Sequence, residues 1–463
     1  MDDEIVIHTS FFFIKYNHVQ KSPMDERRPT LKQQIYAFVL CAVVFMVVYN
    51  FAAWYTSTLE KVPSFVFDFE TYIPFLPWTI IAYMTSGIFF CLVFFFCTDK
   101  EQLKVLTKRM LFVTVIAGLC FIAFPLKFSL QKPAVEEFFL NYPYQFLKIF
   151  DSPFNQSPSL HIAYAFIFWT VFSRIKRYRT LLMLWLLFLG ISTLTTYQHH
   201  CIDILSGTVL AHAGFIIFPY RKNDFHYRNF HIANFYFLFG WILVSAALLM
   251  NHFHYYSWLL MLWPALMFIL IGYHYQKNNV YFLKDRKGNI PLGKKIFYAP
   301  YLLMYHIFWK FLRKNKKPLE IAPRIYISSR PDRKDLFNFE INNDTLVYDL
   351  SAEMEELTDL RNKSSYHSFP FLDIGTFDIG ETRELVTEIT ENYKKLPADG
   401  KIFIHCTMGF TRSTIIGILV MKNILSLPVD EAVTTMKGIH KNAVIHPYLK
   451  DFLKKFNYEQ RTF

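Results

Sequence analysis

The sequence predicts an all-α polytopic membrane bundle of about eight spans followed by a soluble α/β domain. Three observations predict it. The chain of 463 residues is 53% hydrophobic and 19% aromatic, and its mean hydropathy of +0.21 is high for a soluble protein of this length. Apolar runs of near-spanning length recur up to about residue 275. Beyond about 318, short β-branched runs alternate with amphipathic stretches.

The apolar runs fall at about 31–55, 74–97, 109–127, 160–175, 179–197, 203–220, 232–250 and 256–275. A hydrocarbon core about 30 Å thick needs roughly 20 helical residues, so the runs at 160–175 and 203–220 are short. The first run lies too far along, and is too long, for a cleavable signal peptide. Lys100, Lys104, Lys108 and Arg109 follow the second run, Arg174, Lys176, Arg177 and Arg179 the fourth, and Arg221, Lys222 and Arg228 the sixth. The intervening loops carry few cations. The positive-inside rule therefore places both termini, including residues 1–30, in the cytoplasm of a cell-membrane protein.

The formal net charge of +12 is spread over short loops, which suits anionic lipid head groups and argues against nucleic acid. Six cysteines form no CxxC pair or metal-ligand spacing, so reduced thiols are expected and no metal site. A basic linker (276–317) ends in the aromatic stretch 297–317. This reads as an interfacial helix more than a ninth span, because its aromatics suit the head-group boundary.

In the soluble domain (318–463), strands are expected around Ile325, Leu346 and Lys401, and helices at 381–396 and 413–425. The sharpest signal is Ile402-Phe-Ile-His-Cys-Thr-Met-Gly-Phe-Thr-Arg-Ser-Thr414. A buried strand would end at His405 and a helix begin near Thr411. The amides of Thr407, Met408, Gly409, Phe410 and Thr411 would then converge on one point, with the helix dipole adding positive potential. Gly409 permits the curl. A thiolate at Cys406 gains from the same field, and the fork of Arg412 can hold two phosphate oxygens. Ser413 is placed to assist departure of the thiolate. Asp373, after Phe369-Pro-Phe-Leu, is the expected general acid, with Asp378 as the alternative.

These residues resemble the dual-specificity phosphatases of the protein tyrosine phosphatase superfamily over about 318–463. The resemblance places the nucleophile on Cys406, the phosphate-binding arginine on Arg412 and the acid on Asp373. No cofactor is implied. The loop has none of the lysines common in phosphoinositide-cleaving members, so a singly phosphorylated lipid or protein residue is expected.

Two polar clusters, Ser157-Pro-Ser-Leu-His161 and Gln198-His-His-Cys-Ile-Asp203, stand at the same ends of spans. Ionisable groups at membrane depth are costly and mark functional sites. His199 and Asp203 are four apart and share a helix face. A histidine nucleophile oriented by a carboxylate, with a second histidine as acid, can transfer a phosphoryl group. This half resembles the type-2 phosphatidic acid phosphatase superfamily over about 110–220, nearest its inositol-phosphorylceramide-synthase-like branch. The resemblance makes His199 the nucleophile, His161 the acid and Asp203 the orienter, with Ser159 and Lys127 as phosphate contacts. The first motif is reduced to Pro125-Leu-Lys127-Phe-Ser-Leu-Gln-Lys132-Pro133, and Thr193 stands where an arginine is usual.

The expected function is a membrane-bound phosphoric monoester hydrolase with a phosphocysteine intermediate and a second, histidine-based lipid phosphatase or phosphotransferase site across the bilayer. An active cytoplasmic phosphatase on a degenerate anchor is one alternative. A non-enzymatic lipid-phosphate sensor or transporter is the other.

Overall fold

Where the apolar runs stood in the sequence, the computed structural model, which describes residues 28–313 and 317–461, has helices. They are α1 (Leu31–Ser57), α2 (Ile80–Leu92), α3 (Lys100–Ala123), α5 (Leu160–Phe172), α6 (Arg179–Thr195), α7 (Cys201–Ile217), α8 (Arg228–His252) and α9 (Leu262–Gln276), with α4 (Phe138–Phe150) in a loop between α3 and α5. Six of these segments, counting their 3-10 extensions, are long and apolar enough to cross a membrane, whereas α5 and α7 are shorter. At 1.5 Å per residue the 13 residues of α5 rise only about 20 Å. The histidine motifs, at 157–161 and 198–203, lie where these two short helices begin.

Local chemistry sets the helix starts. Thr30 caps α1 in a reciprocal box with Gln33, and Asp99 caps α3 by accepting from Gln102 N at 2.8 Å. Both satisfy amide donors that a helix start leaves unpaired. The bundle core is built from Phe94, Met110, Val113, Ala117, Phe168 and Leu189 with their neighbours.

The two ends of the bundle differ. At one end Arg221 pairs with Asp99 at 3.3 Å, and Arg174 donates to Thr98 at 2.9 Å. The C-terminal domain docks at this end: Arg228 Nε donates to Ile374 O at 3.0 Å, Asn229 Oδ1 accepts from Thr376 N at 2.7 Å, and the Phe225 and Phe452 rings lie 5.4 Å apart. At the other end stand His161, His199 and Asp151.

After α9 the chain forms α10 (Leu292–Phe297) and α11 (Ala299–Leu312). Then come β1 (Leu319–Ala322), β2 (Ile325–Ser329), β3 (Leu346–Ser351), α12 (Thr358–Lys363), β4 (Ser365–Phe371), α13 (Ile379–Lys394), β5 (Ile402–Cys406), α14 (Arg412–Ile424), α15 (Val429–Ile439) and α16 (Pro447–Arg461). The sheet order is β1-β2-β5-β3-β4, parallel except for β1. Each residue of the central strand β5 is buried, as expected for a parallel strand covered on both faces. α14 is buried from Arg412 to Met421, so the loop between β5 and α14 sits on a rigid base. The 14 residues of α11 bury Tyr301, Tyr305 and Trp309 and expose Leu303, Ile307, Phe308, Phe311 and Leu312.

Candidate active sites

Cys406 ends β5, and the chain curls back over its sulfur. Gly409 N donates to Cys406 Sγ at 3.3 Å, and Ser413 Oγ lies 3.4 Å from it. The curl requires glycine. Gly409 has φ +76°, and a Cβ there would stand 2.8 Å from Ser329 N, in a region that L-residues enter at a cost. His440 Nε2 meets Gly409 O at 2.8 Å, and Val444 N donates to Phe410 O at 3.1 Å, so the segment after α15 holds the loop from outside. Burial lowers the pKa of His440, against the opposing hydrogen bond to Gly409.

Arg412 is the first residue of α14 and is 1% exposed. Its Nη1 donates to both oxygens of Glu353 at 3.0 and 2.9 Å and to Phe371 O at 2.8 Å. Its Nη2 donates to Thr407 Oγ1 at 3.2 Å and lies 3.2 Å from Asp373 Oδ1. The Nε–H is buried without a partner among the described residues. Glu353, Phe371 and Thr407 therefore fix the guanidinium, and the Nε–H is the donor left over for an oxyanion. Burial opposes the Arg412 charge, but Glu353 and Asp373 overcome it and raise the pKa well above the ordinary arginine value. Burial also raises the Glu353 carboxyl, against the pull of Arg412. Thr407 is buried and donates to Glu353 at 2.9 Å. Met408, Phe410 and Thr411 are half-buried, and Met408 packs on the cluster that joins α8, α9 and α11.

Asp373 follows β4 in the loop that docks on the membrane helices. Tyr275 OH donates to its carbonyl at 3.0 Å and Tyr305 OH to its Oδ2 at 3.3 Å. Asp378 accepts from Glu381 N at 2.9 Å as the cap of α13, which occupies it as a helix terminus.

Beneath the loop, Lys284 of the linker is fully buried and donates to Asp349 at 2.7 Å. His405 lies 3.8 Å from Asp349 and 3.1 Å from Glu356. Asp349, Glu356 and His405 bring ligand-type atoms within 4.8 Å of one another. Lys284 already balances Asp349, and Arg330 stands 3.9 Å from Glu356. A divalent ion would add two uncompensated charges to this buried set.

At the other end of the bundle, His199 Nδ1 is 3.3 Å from Asp203 Oδ2, and its Nε2 is 3.4 Å from His161 Nδ1. Asp203 also accepts from His200 N at 2.8 Å, and its carbonyl accepts from Ser159 N at 2.9 Å. The structure thus brings the three sequence-predicted residues together, with Ser159 behind them. Lys127 is exposed. Lys132 instead reaches Gln198 Oε1 at 3.0 Å. Thr193 is buried, and its carbonyl accepts from Gln198 N and His199 N at 3.1 and 3.0 Å, bracing the histidine loop through backbone alone.

Sequence reasoning missed several neighbours. Asp151 accepts from Tyr83 OH at 2.8 Å and from Tyr49 OH, and Tyr83 lies against His161 with ring centroids 4.3 Å apart. Glu70 meets His200 Nδ1 at 2.9 Å and accepts from Cys201 N at 3.1 Å. A largely apolar cavity of about 390 Å³ holds Asp151, His161 and His199 beside Phe38, Phe45 and Phe90. A second cavity of about 650 Å³, lined by Lys132, Lys148, Gln156 and Gln198, shares Asp151 with it. No sequence signal marks these residues, because each lies far along the chain from its partner.

Residues 75–217 match the family model of the PAP2 superfamily. None of the curated proteins matches the chain. Among solved structures, Tk-PTP in its active form is similar at 19% identity and TM-score 0.27, covering 30% of this chain and 95% of its own. Human DUSP28 is similar at 13% identity and TM-score 0.27, covering 32% and 98%. The kinase associated phosphatase is similar at 18% identity and TM-score 0.27, covering 32% and 96%. The chain carries a PAP2 superfamily domain at residues 75–217, joined to a C-terminal region that is similar in structure to dual-specificity and protein tyrosine phosphatases.

Proposed function

We propose that the protein is a membrane-bound phosphoric monoester hydrolase that works through Cys406. The observation carrying this reading is that the loop which curls over the Cys406 sulfur ends at Arg412, whose guanidinium lies 3.2 Å from the Asp373 carboxyl brought in by the loop after β4. The thiolate attacks phosphorus as the bond to the leaving oxygen breaks. Arg412 and the loop amides hold the equatorial oxygens, and Asp373 gives its proton to the leaving oxygen. Water then attacks the phosphocysteine and gives a proton back to Asp373, while Ser413 hydrogen-bonds the departing sulfur. Inorganic phosphate and the alcohol are the products.

The His199, His161 and Asp203 set is the basis for a second site, acting on lipid phosphoesters at the opposite end of the bundle. His199 attacks phosphorus, His161 protonates the leaving oxygen, and water or a lipid hydroxyl resolves the phosphohistidine. On this reading the C-terminal domain is cytoplasmic and the histidine site extracytoplasmic. The exposed position of Lys127 and the buried Thr193 favour a second reading, in which the membrane domain only anchors the phosphatase. Phosphate release from an aryl phosphate and from phosphatidic acid, with Cys406→Ser and His199→Ala made separately, tests both. Loss of aryl phosphatase activity in Cys406→Ser supports the first site, and unaltered activity with both substrates in both variants defeats the proposal.

A further inference from the structure

We infer that the phosphomonoester taken at Cys406 is a membrane lipid, which reaches the site from the bilayer across α11. This rests on the reading of Cys406 as the nucleophile and adds the class of its substrate. The first observation is closure toward water. Cys406 and Arg412 are 2% and 1% exposed. The roof over them is not a free loop: Met408 and Leu372 pack in one cluster with Ala233 of α8 and Met267, Phe268 and Ile271 of α9. The phosphate loop is thereby set against the ends of apolar, span-length helices. A phosphorylated loop of a soluble protein would have to pull the domain off those helices to enter.

The second observation is the two-sided character of α11. One face puts Tyr305 on Asp373 at 3.3 Å and Trp309 Nε1 on Arg330 O at 3.0 Å. The opposite face exposes Leu303, Ile307, Phe308, Phe311 and Leu312, at 61, 44, 43, 76 and 53%. The neighbouring α10 adds exposed Leu292 and Ile296. Such a strip is unfavourable in water and continues the apolar exterior of the bundle, so the bilayer is its occupant. Lys310, exposed beside it, complements anionic head groups. A single helix, about 10 Å across, therefore separates lipid from the general acid. Lipid phosphates lie in the interfacial layer just outside the hydrocarbon core.

The test uses the full chain carrying His199→Ala, reconstituted in phosphatidylcholine vesicles. Phosphate release is measured from phosphatidic acid in the vesicles, a soluble phosphotyrosine peptide and 4-nitrophenyl phosphate, each with and without Cys406→Ser. The expected result is Cys406-dependent lipid turnover with kcat/KM at least tenfold above the peptide's. Phe308→Glu with Phe311→Glu should lower the ratio of lipid to aryl-phosphate turnover at least tenfold, and this ratio corrects for any loss of folded enzyme. Preference for the peptide, or a ratio unmoved by the double substitution, overturns the inference. Aryl-phosphate turnover without lipid turnover overturns the inference alone. No Cys406-dependent turnover of any substrate removes the underlying reading and the inference together.

Discussion

The Tyr305 hydroxyl, on a helix outside the C-terminal α/β domain, donates to Asp373 Oδ2 at 3.3 Å while Asp373 Oδ1 faces Arg412 Nη2 at 3.2 Å. The proposed acid is thus held between the Arg412 guanidinium and a helix that carries an apolar outer face. Its position depends on how the domain sits on the bundle.

Tyr305→Phe should therefore act on proton donation rather than on phosphorus attack. A positioned acid contributes about 10²–10⁴-fold when the leaving group needs its proton. The variant should lose about tenfold in kcat on an alkyl phosphate and less than about twofold on 4-nitrophenyl phosphate, whose leaving group departs unaided. Asp373→Asn should show the same pattern with a larger loss. Steady-state kinetics on the two substrates checks this, and equal losses on both would contradict it.

Gly409→Ala should spoil the phosphate cradle. The substitution places a Cβ 2.8 Å from Ser329 N at φ +76°, a left-handed strain of about 1–2 kcal/mol before any clash. Vanadate inhibition should weaken at least tenfold, measured as the inhibition constant against an aryl phosphate.

The buried charges beneath the loop make stability depend on pH. Burial alone would raise the Asp349 carboxyl, but Lys284 and His405 overcome it and hold it below the usual carboxylate range. A depressed folded-state value contributes stability above the unfolded pKa of about 3.9, and that contribution fades as pH falls through the lower folded value. Lys284→Met leaves the carboxylate buried without its cation, which should cost about 3–5 kcal/mol at neutral pH. The cost should shrink near pH 4, where the carboxyl can take up a proton. Hydrogen exchange of β3 and β5 amides, corrected for intrinsic rates, reads both values.

In a Cys406→Ser background, remaining phosphate release from phosphatidic acid should require His199 and His161. Asp203→Asn should reduce it by about 10³–10⁴-fold, as expected when a histidine loses its orienting carboxylate. Quantities equal to the parent in all three variants would show that the bundle only anchors the phosphatase.

The parts legible in the sequence were those with local causes. A bilayer demands long apolar runs, so the helices from Leu31–Ser57 to Leu262–Gln276 stood out, and the Cys406 loop is a contiguous string whose spacing alone defines a cradle. The residues that complete the sites come from far along the chain. Glu353 is 59 positions from Arg412, Tyr305 is 68 from Asp373, and Glu70 is 130 from His200. Spacing carries no information about such meetings. Lys127 and Lys132 show a subtler limit: both fit the reduced motif, and only the path of the loop before α4 decides that Lys132, not Lys127, reaches Gln198 beside His199.

The most direct measurement of the central claim is the covalent state of Cys406 during turnover. Full-length protein carrying Ser413→Ala is mixed with an aryl phosphate and quenched in acid, which preserves phosphocysteine and destroys phosphohistidine, and its peptides are weighed by mass spectrometry. A phosphoryl group is expected on the peptide containing Cys406, absent when Cys406→Ser is added. Turnover of the substrate with that peptide unmodified, and undiminished by Cys406→Ser, would contradict it.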